Sequence, residues 1–135
     1  MTTLITALDY FDENSALATV ERIGDGCQWY KVGKQLFTSA GPGIVRQLKK
    51  MGKSVFLDLK YHDIPNTVSQ AVAAAAGIGA DMCNVHASGG PAMLAAAAES
   101  IPPEEEVDFT LDRPFVFLLT SSDNIPLYTG VVNQP

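Results

Sequence analysis

The chain has 135 residues, 47% of them hydrophobic and 18% charged, which is the composition of an ordinary globular domain. Its formal net charge is −6, and its nine basic residues form no long stripe, which argues against a nucleic-acid surface. The first eight residues carry no basic leader and their apolar run stops at Asp9, so neither a signal peptide nor a spanning helix is expected, and the reading is a cytoplasmic protein without membrane contact.

In chain order, residues 4–8 read as a strand ending in Asp9, and 13–23 as a helix behind the capping candidate Asp12. Residues 28–32 are a second strand. Apolar residues at helical spacing fill 36–51, interrupted by Gly41-Pro42-Gly43 and stopped by Gly52. A third strand is expected at 55–59, then an alanine-rich helix over 67–78, capped near Asn66 and ended by Gly79. Residues 82–86 form a fourth strand, 91–100 a helix, and 114–119 a fifth strand leading into Thr120-Ser121-Ser122. The acidic run 104–108 reads as a solvated loop. Cys27 and Cys83 both lie in or beside apolar runs and are expected as buried thiols rather than a disulfide.

Strands that alternate with helices imply a parallel sheet, because parallel neighbours need long crossovers. Each strand end also carries polar residues: Asp9, Lys31, Asp58 with Lys60, His86 with Ser88, and Thr120 with Ser121. A (β/α)8 barrel builds its site from that rim, so this distribution favours a barrel over a doubly wound sheet. No G-x-G-x-x-G follows a strand, which removes the main sign of a dinucleotide fold.

The densest rim segment is Asp58-Leu59-Lys60-Tyr61-His62-Asp63-Ile64-Pro65-Asn66-Thr67. Asp58 and Lys60 stand two apart, so on an extended chain they point to one face, and Asp63 follows on a loop closed by Pro65. One ammonium is thereby placed to meet two carboxylates. An isolated D-x-K-x-x-D reads equally as a salt-bridged strand end before a helix, and its position on the rim is what favours chemistry.

Five segments in order, Ala7-Leu8-Asp9, Trp29-Tyr30-Lys31-Val32-Gly33, residues 36–42, residues 58–67 and Asn84-Val85-His86-Ala87-Ser88-Gly89-Gly90, resemble the bacterial orotidine 5′-phosphate decarboxylases. The resemblance implies a (β/α)8 barrel that converts orotidine 5′-monophosphate to UMP and CO2 in pyrimidine synthesis, with no metal and no organic cofactor. It implies that Lys60 donates the proton and that Lys31, Asp58, Lys60 and Asp63 form an alternating charge array at the reacting carbon. By the same resemblance Asp9 and Lys31 hold the ribose, and Asp63 and Thr67 reach into a neighbouring subunit's site. A homodimer is thus implied. Ile64, Pro65 and Asn66 complete that substrate-binding segment, and Thr120 and Ser121 lie where the family contacts the pyrimidine ring.

The chemistry agrees with the residues. Loss of CO2 from C6 leaves a carbanion with little delocalisation, so a fixed positive charge and a proton are needed at that carbon, and a lysine supplies both. Alternating signs keep both lysines protonated. Asp58 would face the departing carboxylate, although stabilisation of the carbanion ranks above that repulsion. His86 and His62 read as structural groups of the rim, and Trp29, Tyr30 and Phe56 as core or interface aromatics.

A complete barrel takes about 250 residues, so residues 1–122 read as five βα units of an incomplete barrel and 123–135 as a divergent, irregular tail broken by Pro126, Gly130 and Pro135. The family's phosphate grip lies on loops after the sixth to eighth strands and has no counterpart in the chain, which puts its own activity in question. Two other readings compete. An inactive remnant would act only as a binding or dimerisation module, its dimer-forming motif intact and its phosphate site missing. A magnesium-dependent sugar-phosphate lyase or synthase of the same superfamily would need a glutamate where Lys31 stands, and a lysine is a poor ligand for a hard cation.

Overall fold

The computed structural model of the protein describes residues 3–100, together with the backbone of residues 115–120 and 126–132. Four strands, β1 (Ile5–Ala7), β2 (Trp29–Gly33), β3 (Ser54–Tyr61) and β4 (Met82–Val85), form one sheet in the order β1-β2-β3-β4, every pair parallel. The connections are α1 (Glu13–Ile23), then α2 (Lys34–Ala40) with α3 (Gly43–Lys50), then α4 (Pro65–Gly77), and α5 (Pro91–Glu99) follows β4. This is the alternating α/β pattern expected from the sequence.

Alternation along the strands sorts the two faces of the sheet. Tyr30 and Val32 of β2 and Val55 and Leu57 of β3 are buried with Val20 of α1, Leu36 of α2, and Ile44, Val45 and Leu48 of α3. Each such aliphatic side chain contributes about 1.5–3 kcal/mol on burial, so this layer is the core. Trp29, Lys31 and Phe56, on the opposite face, are only half-buried. A second cluster, Val68 and Val72 with Met93 and Ala97, joins α4 to α5.

Local signals set most boundaries. Asp12 caps α1 as expected, accepting from the Ser15 N–H at 2.9 Å and from its hydroxyl at 2.8 Å. The stretch 36–51 divides into α2 and α3 where Gly41 takes φ 67°. Helix α4 corrects the sequence reading: it begins at Pro65, the cap residue is Ile64, and Asn66 lies inside the first turn. Proline suits that first position because its missing N–H has no acceptor there anyway.

The fifth strand also differs from expectation. β5 (Phe115–Thr120) does not extend the parallel sheet; it pairs antiparallel with β6 (Pro126–Val132) in a separate two-stranded sheet. Much of the segment read as an irregular tail is therefore strand. Pro126 is tolerated because it is the first residue of β6, and the following residues are rich in β-formers such as Tyr128, Val131 and Val132.

The N-terminal ends of the strands are tied together by polar side chains. The buried Lys53 donates to the carbonyls of Gly24 at 2.7 Å and Cys27 at 3.1 Å. Asp81, just before β4, pairs with Lys49 at 2.7 Å and accepts from the Val55 N–H at 2.8 Å. Cys27 is a buried free thiol and Cys83 a half-buried one. Lys53→Met removes the partner of two carbonyls while keeping the apolar stem. The expected loss is about 2 kcal/mol, read as a lower urea midpoint at constant m-value, and an unchanged midpoint would contradict it.

Candidate active site

β3 changes register where its charged residues lie. Leu57 pairs with Cys83 and Tyr61 with Val85, so Asp58, Leu59 and Lys60 together face the single residue Asn84. The extra length is absorbed at Lys60, whose φ of 53° lies in the left-handed region that a non-glycine residue seldom adopts. Its N–H donates to Asn84 Oδ1 at 2.8 Å, and Asn84 Nδ2 donates to Asp58 Oδ1 at 2.7 Å.

The charged side chains alternate in sign across three strands. Lys60 Nζ lies 2.6 Å from Asp58 Oδ1, Lys31 Nζ lies 3.2 Å from Asp58 Oδ2, and Lys31 Nζ lies 3.5 Å from Asp9 Oδ1. The expected pairing of Asp58 with Lys60 is present, with one correction. Lys31, rather than Lys60, meets two carboxylates, and the central group is Asp58, which meets two ammoniums. Gly33 gives this cluster room, since a Cβ there would stand 3.4 Å from Lys31 Nζ.

Burial grades the array. The Asp58 side chain is 10% exposed and that of Lys60 42%. Burial pushes the Asp58 carboxyl up, and it is the largest single effect. Hydrogen bonds from Lys60, Asn84 and Lys31, with the Lys60 charge, together outweigh it and hold the group below the ordinary carboxylate range. An ammonium anchored on a buried carboxylate and still open to solvent can offer both positive charge and a proton to a ligand on the rim.

The other residues named from the sequence are placed differently. Asp63 forms no ion pair among the described residues; its carboxylate accepts from the Ile64 N–H at 2.6 Å. Ile64, Pro65, Asn66 and Thr67 follow it, exposed, at the start of α4. Thr120 ends β5, and Ser121 lies outside the described residues. The His62 and His86 rings stand beside each other, centroids 5.5 Å apart and tilted by 44°. Among the described residues no three His, Cys, Asp or Glu side chains cluster as a metal site, and no helix is long and apolar enough to cross a membrane. A cavity of about 590 Å³ lined by Lys49, Val72, Ala75, Gly79, Asp81 and Cys83 opens at the opposite strand ends, away from the array.

Asn84 is the site residue that sequence reasoning missed. Its position in a strand-end segment was visible, but its role depends on the register shift that sets it opposite three residues of β3.

Residues 2–124 match the model of the orotidine 5′-phosphate decarboxylase / HUMPS family. The chain is 52% identical to an orotidine 5′-phosphate decarboxylase of Photobacterium profundum over 117 residues, 87% of this chain and 48% of that protein. It is 47% identical to the Salmonella typhimurium protein of the same name, with 98% of this chain and 54% of that one covered. The crystal structure of orotidine 5′-phosphate decarboxylase from Lactobacillus acidophilus superposes with a TM-score of 0.69 at 37% identity, over 74% of this chain and 45% of that one. The chain thus spans about half the length of the relatives it matches. A parallel α/β sheet with an alternating Asp–Lys array on its rim, matched along nearly its whole length, places this chain in the orotidine 5′-phosphate decarboxylase / HUMPS family.

Proposed function

We propose that the rim of this chain serves the decarboxylation of orotidine 5′-monophosphate to UMP and CO2. The observation that carries this reading is the array Asp9–Lys31–Asp58–Lys60, in which a buried carboxylate holds two ammoniums, the Lys60 side chain being 42% exposed. In the proposed reaction the bond from C6 to the carboxylate breaks with its electron pair left on C6. Lys60 stabilises that pair by its charge and then delivers a proton from Nζ to C6, after which the neutral amine is reprotonated from solvent. Asp9 and Lys31 would hold the ribose, and Thr120 and Ser121 the pyrimidine ring. A nucleotide substrate of this kind goes with a cytoplasmic location.

A homodimer is part of the same proposal, with Asp63 and Thr67 contributed to the neighbouring subunit's site. Two features support it. Asp63 has no ion pair of its own among the described residues, and large apolar side chains sit exposed after two strand ends, Phe11 at 84% and Ile64 at 66%.

Three outcomes test the reading. Lys60→Ala removes both the cation and the proton source, so kcat for orotidine 5′-monophosphate should fall by more than the ~10⁴ of a simple general acid; retention of a tenth of kcat would overturn the assignment. The carboxylate of Asp58 is occupied by lysines, so dialysis against EDTA should leave ligand binding and turnover unchanged, whereas dependence on added Mg²⁺ would move the protein to the lyase and synthase branch. In sedimentation velocity the protein should run as a dimer or larger, and Ile64→Asp combined with Phe11→Asp should shift it toward monomer. A wild-type monomer would refute the shared site.

A further inference from the structure

We infer that Asn84 is a positioning residue for Lys60 and Asp58, acting through both ends of its side-chain amide. Three observations combine. The register shift leaves Lys60 out of the regular ladder between β3 and β4, so its N–H needs an acceptor, and Asn84 Oδ1 supplies one at 2.8 Å. Lys60 holds φ 53°, a left-handed conformation strained for a non-glycine residue, which persists only where neighbours over-determine it. Finally, Asn84 Nδ2 donates at 2.7 Å to Asp58 Oδ1, the oxygen that also receives Lys60 Nζ at 2.6 Å.

One amide therefore fixes the backbone of the lysine and the carboxylate plane that the lysine leans on. With its oxygen toward an N–H and its nitrogen toward a carboxylate, only an uncharged group bearing both an acceptor and a donor satisfies the two contacts at once. Aspartate at this position would keep the first contact and turn the second into repulsion. Alanine would lose both. Leucine or valine, which suit an inner strand position, would leave the Lys60 N–H without its partner.

The consequence for turnover rests on the catalytic reading above, while the positional claim does not. Carboxyl titration of the aspartates by ¹³C NMR in the 135-residue protein separates the two. In Asn84→Ala the Asp58 midpoint should rise toward that of an ordinary carboxylate, and the Lys60 amide resonance should move. In Asn84→Asp the Asp58 midpoint should also rise, while the Lys60 amide stays in place. A merely structural asparagine would lower the thermal midpoint and leave the Asp58 titration where it is, and that result in either folded variant overturns the proposal. The wild-type protein supplies a measurement that needs no variant: the Lys60 amide should exchange slowly with solvent despite its rim position, and unprotected exchange would also overturn the proposal. In decarboxylation assays Asn84→Ala should lower kcat by roughly 10²-fold with little change in KM, as for other small misplacements of a reacting group. Absence of turnover in the wild type would remove the catalytic reading and leave the NMR result standing. An unmoved Asp58 with normal turnover would do the reverse.

Discussion

A carboxylate taken out of water must be met by charge or by donors, and at Asp58 the fold supplies three of them: Lys31, Lys60 and the amide of Asn84. The arrangement works only if three strands end level. Lys31 comes from β2, Asp58 and Lys60 from β3, and Asn84 from β4, and the parallel pairing Gly33↔Asp58 brings the first two strands into step. Removing any one donor would leave a buried negative charge short of partners, so the groups that hold Asp58 ionised also hold the strand ends together.

The two ends of the sheet are thereby specialised. At the C-terminal ends, charge is concentrated, one lysine is open to solvent, and the backbone adopts an unfavoured conformation. At the N-terminal ends, the polar contacts are closed and mutually satisfied: Lys53 on two carbonyls, and Asp81 on Lys49 and the Val55 N–H. Between them lies the aliphatic layer under α1, α2 and α3. Strain at one end is tolerable because the other end and the core over-determine where each strand lies.

The features readable in the sequence were those with local signals. α1 spans Glu13–Ile23 as expected because Asp12 marks its start through a cap that reaches only to Ser15. Parallel pairing followed from βα alternation, and Asp9, Lys31, Asp58 and Lys60 stood out as charges at the ends of apolar runs. What could not be read depended on pairing. Asn84 becomes part of the array only through a shift between β3 and β4, and no spacing within either strand announces it. Asn66 has the right chemistry for a helix cap, but Pro65 claims the first position and displaces it. In β6, Pro126 and Gly130 look like breakers, yet pairing with β5 makes the segment a strand.

The anchoring of Asp81 acquires a different meaning when measured along β4. It stands three residues before Asn84, about 10 Å at the rise of a strand, and its carboxylate grips the Val55 N–H while its own N–H reaches the Val55 carbonyl. Since side chains alternate along a strand, a slip of one residue would present Cys83 or Val85 to Lys60 in place of an amide. Asp81 and Lys49 thus behave as the zero mark of a ruler whose reading is taken at the rim. Two residues at the end of the sheet remote from the charged array set its scale, and their substitution would register at Lys60 as an error of alignment with no loss of any group that touches it.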